Sequence, residues 1–153
     1  MSVFHAAWMT FLISMVPVLE LRGAIPVGVA GGLSPLAALA IAVVGNLLPV
    51  PILILFTRRV FRWLKSKARF HAMVEKLEAR AARKSRVVLR YAWLGLFILV
   101  AIPLPGTGAW TGALVAAVMD MRLKKAMPAI ALGVVAAGLV VTCLTYGVTH
   151  LLG

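Results

Sequence analysis

The sequence predicts an all-α integral membrane protein. It is read as two inverted repeats, each a re-entrant helical hairpin plus a transmembrane helix, joined by a basic amphipathic cytoplasmic helix. Three observations predict this. First, 63% of the 153 residues are hydrophobic and the mean hydropathy is +1.04, whereas an ordinary soluble domain is nearer half apolar. Second, several runs of about 20 or more residues carry almost no charge, the length a helix needs to cross a bilayer. Third, the net charge of +12 is unevenly placed: residues 58–90 hold twelve of the sixteen Lys and Arg, opposed by Glu75 and Glu78. Flanked by apolar segments, such a stretch reads as a cytoplasmic loop under the positive-inside rule rather than as a nucleic-acid surface.

The chain 1–153 is read as a single membrane domain. Its start, "MSVFHAAW", has no Lys or Arg and no clean small-x-small site follows, so a cleaved signal peptide is not expected. Residues 1–33 form the first hairpin: an apolar arm (3–18), an irregular tip (19–26) flanked by Pro17 and Pro26, and a small-residue arm (27–33). Residues 34–57 form a transmembrane helix; as a helix, "PLAALAIAVVGNLLPVPILILF" spans about 33 Å. Residues 58–90 follow. There Trp63, Phe70, Val74, Leu77 and Ala81 recur at helical spacing among Arg62, Lys65, Arg69, Lys76, Arg80 and Arg83, the pattern of a helix lying on an anionic inner leaflet.

Residues 91–119 are uncharged and have basic residues on both flanks: Arg86 and Arg90 precede them, and Arg122, Lys124 and Lys125 follow. A single crossing would put one basic cluster outside, so the segment is expected to enter and return on one side. "PLPGTG" at 103–108 has the prolines and glycines for the turn. Residues 120–153 supply a basic turn and the last transmembrane helix. Small residues at every fourth position, Ala24, Gly28 and Gly32 in one returning arm and Gly108, Gly112 and Ala116 in the other, suit close helix packing in lipid. Irregular backbone at membrane depth needs protein or water to satisfy it, so the two tips are expected to meet.

The candidate site residues follow from that geometry. Glu20 and Arg22 are the only charged side chains in the first 57 residues, and ionised groups deep in a bilayer are costly enough to be paired and functional. Arg22 suits holding an anion as a forked donor; Glu20 suits proton exchange. The competing reading is a structural salt bridge pinning the tip. Gly106, Thr107 and Gly108 offer backbone N–H groups and a hydroxyl for an anion nest, or are turn chemistry alone. Asn46 either serves the Gly45 carbonyl that Pro49 leaves unbonded or faces the cavity as a substrate ligand. Asp120 either caps the last helix, pairs with Arg122 or Lys124, or relays protons. His5 and Trp8 read as interface residues, Trp110 as packing on the hairpin, and Cys143, the single cysteine, as a small packing residue. Four acids and three scattered histidines give no nucleophile–base or metal-ligand set, so no enzyme activity, no cofactor and no metal are expected.

"ELRGAIPVG" (20–28) together with "PLPGTGAWTGA" (103–113) resembles the small multidrug-export family of bacterial inner-membrane proteins, a compact relative of the DedA/VTT superfamily. The resemblance covers nearly the whole chain. It implies two facing re-entrant hairpins, a homodimer, and transport of lipid carriers or small molecules linked to the proton gradient. One departure is visible: DedA proteins carry arginine in the second hairpin, which is uncharged here. Inverted repeats with broken helices meeting at the midplane are also a transporter architecture. The reading is therefore a multi-pass transporter of the bacterial inner membrane for an amphipathic or anionic substrate, with a lipid phosphate carrier, a drug-like molecule and proton coupling all open. Its partners are membrane lipids and a second copy of the chain. The alternative is a non-transporting lipid-binding or scaffold protein, whose signature is tips closed by packing.

Overall fold

A computed structural model describes residues 2–152, without the side chains at 77, 78, 80–90 and 152. The described residues form helices α1 (Val3–Met15), α2 (Glu20–Ala30), α3 (Pro35–Leu47), α4 (Pro49–Lys65), α5 (Ala68–Ala101), α6 (Ala109–Val118) and α7 (Leu123–Leu152), and no strand. Local chemistry sets several of their starts. Ser2 caps α1 by accepting from the His5 N–H at 3.3 Å. Ser34 caps α3 by accepting from the Ala37 N–H at 3.3 Å, with Pro35 in the first turn, where no amide hydrogen is missed. Leu48, at the junction of α3 and α4, keeps helical backbone, so the two run on as one span, Pro35–Lys65.

That span has 31 residues, about 46 Å of helix. It and α7 are each long and apolar enough to cross a bilayer. Leu36, Val44, Ile52, Phe56, Leu139 and Leu144 are exposed along them, an outward apolar surface that suits lipid rather than water. Inside, the core is built largely of alanine: Ala24, Ala38, Ala42, Ala109, Ala113, Ala116, Ala126 and Ala129 are all fully buried. Small side chains let the helix backbones approach closely. Helix α1 packs on α2 and α3, α6 packs on α4 and α5, and α7 lies against α5, α3 and α2.

Three expectations need correction. The irregular tip expected at 19–26 is shorter and earlier: the chain turns at residues 16–19, and α2 starts at Glu20 and runs through Pro26. The reversal is made by Glu20 itself, at φ +47°, and Pro26 costs α2 only the bond to the Arg22 carbonyl. The basic segment is not a separate unit ending at residue 90. α4 carries its first part to Lys65, and α5 runs unbroken from Ala68 past residues 90 and 91 to Ala101. No proline interrupts that stretch, and its one glycine, Gly95, is tolerable inside a helix. Of the expected amphipathic face, Trp63 lies on α4 and is exposed, whereas Phe70 and Val74 lie on α5, with Val74 buried. The side chains of Leu77, Arg80, Ala81 and Arg83 lie outside the described residues.

The small-residue stripes divide. Ala24, Gly28, Gly112 and Ala116 are buried in helix contacts. A Cβ built on Gly28 would sit 3.1 Å from the Ala38 Cβ, and one on Gly112 2.5 Å from the Val100 Cγ2. Gly32 instead faces open space at φ +93° and serves the turn after α2.

Candidate functional site

The turn between α5 and α6, residues 102–108, is tied to itself through Thr107. Its hydroxyl lies 2.6 Å from the Ile102 carbonyl and 2.8 Å from the Leu104 carbonyl, and it accepts from the Leu104 N–H at 3.2 Å. The Thr107 N–H donates back to the Leu104 carbonyl at 3.2 Å, and Thr111 donates its hydroxyl to the Gly106 carbonyl at 2.9 Å. These bonds orient the Leu104 and Thr107 carbonyls toward the first hairpin, where the guanidinium of Arg22 meets them. Arg22 Nη2 donates to the Thr107 carbonyl at 2.9 Å and to its hydroxyl oxygen at 2.8 Å, and Nη1 donates to the Leu104 carbonyl. Thus the second turn presents acceptors to a cation; the anion nest expected of Gly106, Thr107 and Gly108 is not what faces Arg22.

Glu20 makes the complementary contact. Its Oε1 accepts from the Trp110 N–H at 3.1 Å, 90 residues further along the chain. Trp110 stands in the first turn of α6, whose leading N–H groups have no helical partners and carry the positive end of the helix dipole. Gly108, at the cap position of that helix, offers no side chain to satisfy them, so Glu20 supplies the cap from a different hairpin. The glycine is required twice over. Its φ of +123° suits no other residue, and a Cβ there would overlap the Glu20 carboxylate. Glu20 is 3% exposed.

The two charges therefore do not make the salt bridge that was one of the sequence alternatives. Among the described residues no ion pair joins them; each holds the other half of the chain instead. Between them lies a seam lined by Glu20, Arg22, Asn46, Val100, Gly108 and Ala109 among others, with no space for a water molecule. Asn46 is fully buried there, and neither its amide oxygen nor its nitrogen has a hydrogen-bond partner. It does not serve the Gly45 carbonyl. Leaving such a group unbonded costs on the order of 1–3 kcal/mol, so its position in the seam is not a stability feature. The Trp110 indole nitrogen is likewise buried without a partner.

Two further pockets are present. One, of about 480 Å³, is lined by Arg22, Pro26 and Pro103 and by residues of α2 and the late part of α7, including Val29, Leu144 and Val148. The other, of about 320 Å³, lies where α4 ends and α6 meets α7, among Arg58, Phe61, Arg62, Lys65, Val74, Ala117, Val118 and Asp120. The structure thus brings Glu20, Arg22, Asn46, Thr107 and Gly108 together. Gly106 stands in the second turn, exposed, at φ +84°. Asp120 belongs to the other pocket: its carboxylate is 91% exposed and lies 3.7 Å from Arg58 Nε, not beside Arg122 or Lys124. Sequence reasoning missed Arg58 and the Trp110 amide. Arg58 is one of twelve basic residues in its segment, with nothing in the sequence to single it out, and a backbone amide gives no signal.

A family model described as "Putative small multi-drug export protein" matches residues 20–140, which takes in α2 to α6, the turn between α5 and α6, and the first part of α7. No curated protein and no solved structure matches the chain.

Proposed function

The chain belongs to the small multi-drug export protein family, and on that premise we propose that it is a multi-pass transporter of the bacterial inner membrane, carrying an amphipathic anion between its two pockets. One observation carries the reading: Arg22 and Glu20 reach across the chain to hold the second turn and the start of α6, and Arg22 also lines an apolar pocket. An amphipathic anion fits that pocket, its apolar part against Val29, Leu144 and Val148 and its charge on Arg22. Arg22 has five N–H donors, of which three serve the second turn; an anion takes the remaining two and competes for the rest. A proton on Glu20 turns its bond to the α6 amide from a charge-assisted one into a weaker neutral one. Substrate and proton then loosen the same seam, and Asn46 is the polar group that the opened seam offers.

The order of elements supports the inverted repeat. A helical hairpin precedes a long apolar helix in each half: α1 and α2 before α3 and α4, and the end of α5 with α6 before α7. Kinship with the DedA/VTT superfamily, a homodimer that encloses the path, and contact of the basic segment with the anionic inner leaflet belong to this proposal. So does a topology with the basic end cytoplasmic.

The absence of water-sized space in the seam favours a second reading, a lipid-binding scaffold whose tips stay closed. Reconstitution into liposomes with lipid-phosphate and cationic-drug substrates separates the two. The transporter reading expects movement of an anionic amphiphile that Arg22→Lys slows and that Glu20→Gln frees from its pH dependence. Full transport by a Glu20→Leu/Arg22→Leu protein would show that the pair is structural and refute the proposal.

A further inference from the structure

The pocket at the basic end is lined by cations that the hairpin seam does not use. Arg58, Arg62 and Lys65 stand at steps of four and three along α4 and so share one face of it. The Arg58 side chain is only 20% exposed, and its Nε and Nη2 are buried with no hydrogen-bond partner. Among the described residues the acid beside it is Asp120, whose carboxylate at 3.7 Å is beyond hydrogen-bond distance and 91% exposed. Asp120 is held there by a backbone at φ +50°; it and Glu20 are the two non-glycine residues with positive φ among those described. Two buried guanidinium nitrogens without hydrogen bonds are costly, and an exposed carboxylate across that gap does little to offset them.

We propose that this pocket binds a phosphate group, and that Asp120 is the counter-ion which that group displaces from Arg58. Arg58 and Arg62 bring positive charge to one wall of the pocket, which suits an anion. The guanidinium supplies parallel N–H donors for two phosphate oxygens. Phe61, Val74, Ala117 and Val118 give the pocket an apolar wall beside the cations, so a phosphate carrying a hydrocarbon group fits as well as the free ion. The inference deepens the proposed function at one of its two pockets and rests on that reading, but its readout is binding rather than transport, so the two can fail separately.

The test uses the full chain in a non-ionic detergent, with two probes: radiolabelled orthophosphate by equilibrium dialysis and dihexanoyl phosphatidic acid by calorimetry, against a dihexanoylglycerol control. Binding of both probes assigns the site to the phosphate group itself; binding of the lipid alone assigns it to a headgroup with its hydrocarbon. Asp120→Asn keeps a residue that accepts positive φ and removes the competing charge, so it tightens binding roughly fivefold, the scale of one exposed charge pair. Asp120 does not line the pocket at Arg22, so this gain reports on the basic pocket alone. Arg58→Gln weakens binding at least tenfold; if that variant fails to fold, the gain in Asp120→Asn still decides. Failure of both probes to bind the wild-type chain, or an Asp120→Asn protein that binds no more tightly, overturns the proposal.

Discussion

Replacing Gly108 by alanine should damage the protein through two separate effects whose sizes can be worked out. The backbone there, at φ +123° and ψ −167°, lies in a region essentially restricted to glycine, and forcing another residue into it costs about 1–3 kcal/mol. The new Cβ would also occupy the place of the Glu20 carboxylate, ending its bond to the Trp110 N–H. A hydrogen bond to a charged group contributes about 1.5–3 kcal/mol. Gly108→Ala should therefore destabilise by about 2.5–6 kcal/mol. Glu20→Ala loses only the bond, about 1.5–3 kcal/mol. Since both changes break the same contact, the double variant should be little worse than Gly108→Ala alone, a coupling of about 1.5–3 kcal/mol in the double-mutant cycle. Denaturant unfolding in mixed micelles measures all three. If the single losses add to within about 0.5 kcal/mol, as independent sites do, then Glu20 does not cap α6 and the reasoning fails.

Val100 is wedged between two glycines, with a Cβ on Gly112 2.5 Å from its Cγ2 and one on Gly133 2.7 Å from its Cβ. Gly112→Leu should abolish folding, whereas Gly112→Ala should cost about 1–3 kcal/mol by overpacking, which Val100→Ala should partly recover in thermal unfolding. A folded, active Gly112→Leu protein would remove the close-packing argument. For topology, Lys124, exposed at the start of α7, is the place for a labelling cysteine on a Cys143-free background, since Met121 is buried. Lys124→Cys should resist an impermeant thiol reagent applied to intact cells; labelling from outside would defeat the cytoplasmic placing of that turn.

Composition and charge placement made the helical, apolar character of the chain legible, and the isolation of Glu20 and Arg22 in uncharged sequence singled them out. The meeting of the two turns was also readable, because irregular backbone away from water needs partners. The boundaries were not. Pro17 and Pro26 suggested a broad irregular tip, yet Pro26 is carried inside α2 and the reversal falls to a left-handed glutamate that no composition rule points to. The charge step near residue 90 suggested a boundary, but charge does not end a helix, and the backbone has no breaker there. Asn46 was read first as bonding the backbone, with facing a cavity as the alternative; only its surroundings show both amide atoms unbonded. Arg58 was hidden as one basic residue among twelve in its segment, because what sets it apart is burial beside α6, a contact distant in sequence.

The atoms that Glu20 and Arg22 grip are mostly main-chain ones: the Trp110 amide and the Leu104 and Thr107 carbonyls. Selection therefore acts on this contact from one side. Leu104 can drift to almost any side chain, because every residue carries the carbonyl. Position 110 can drift to anything but proline, because every other residue carries the amide. A saturation scan read by function should show positions 20, 22 and 108 intolerant, opposite partners at 104 and 110 that accept nearly everything. Free substitution at 20 or 22, or strict side-chain requirements at 104, would contradict it. Two halves of a protein can thus depend on each other while pairwise co-variation between their sequences shows almost nothing.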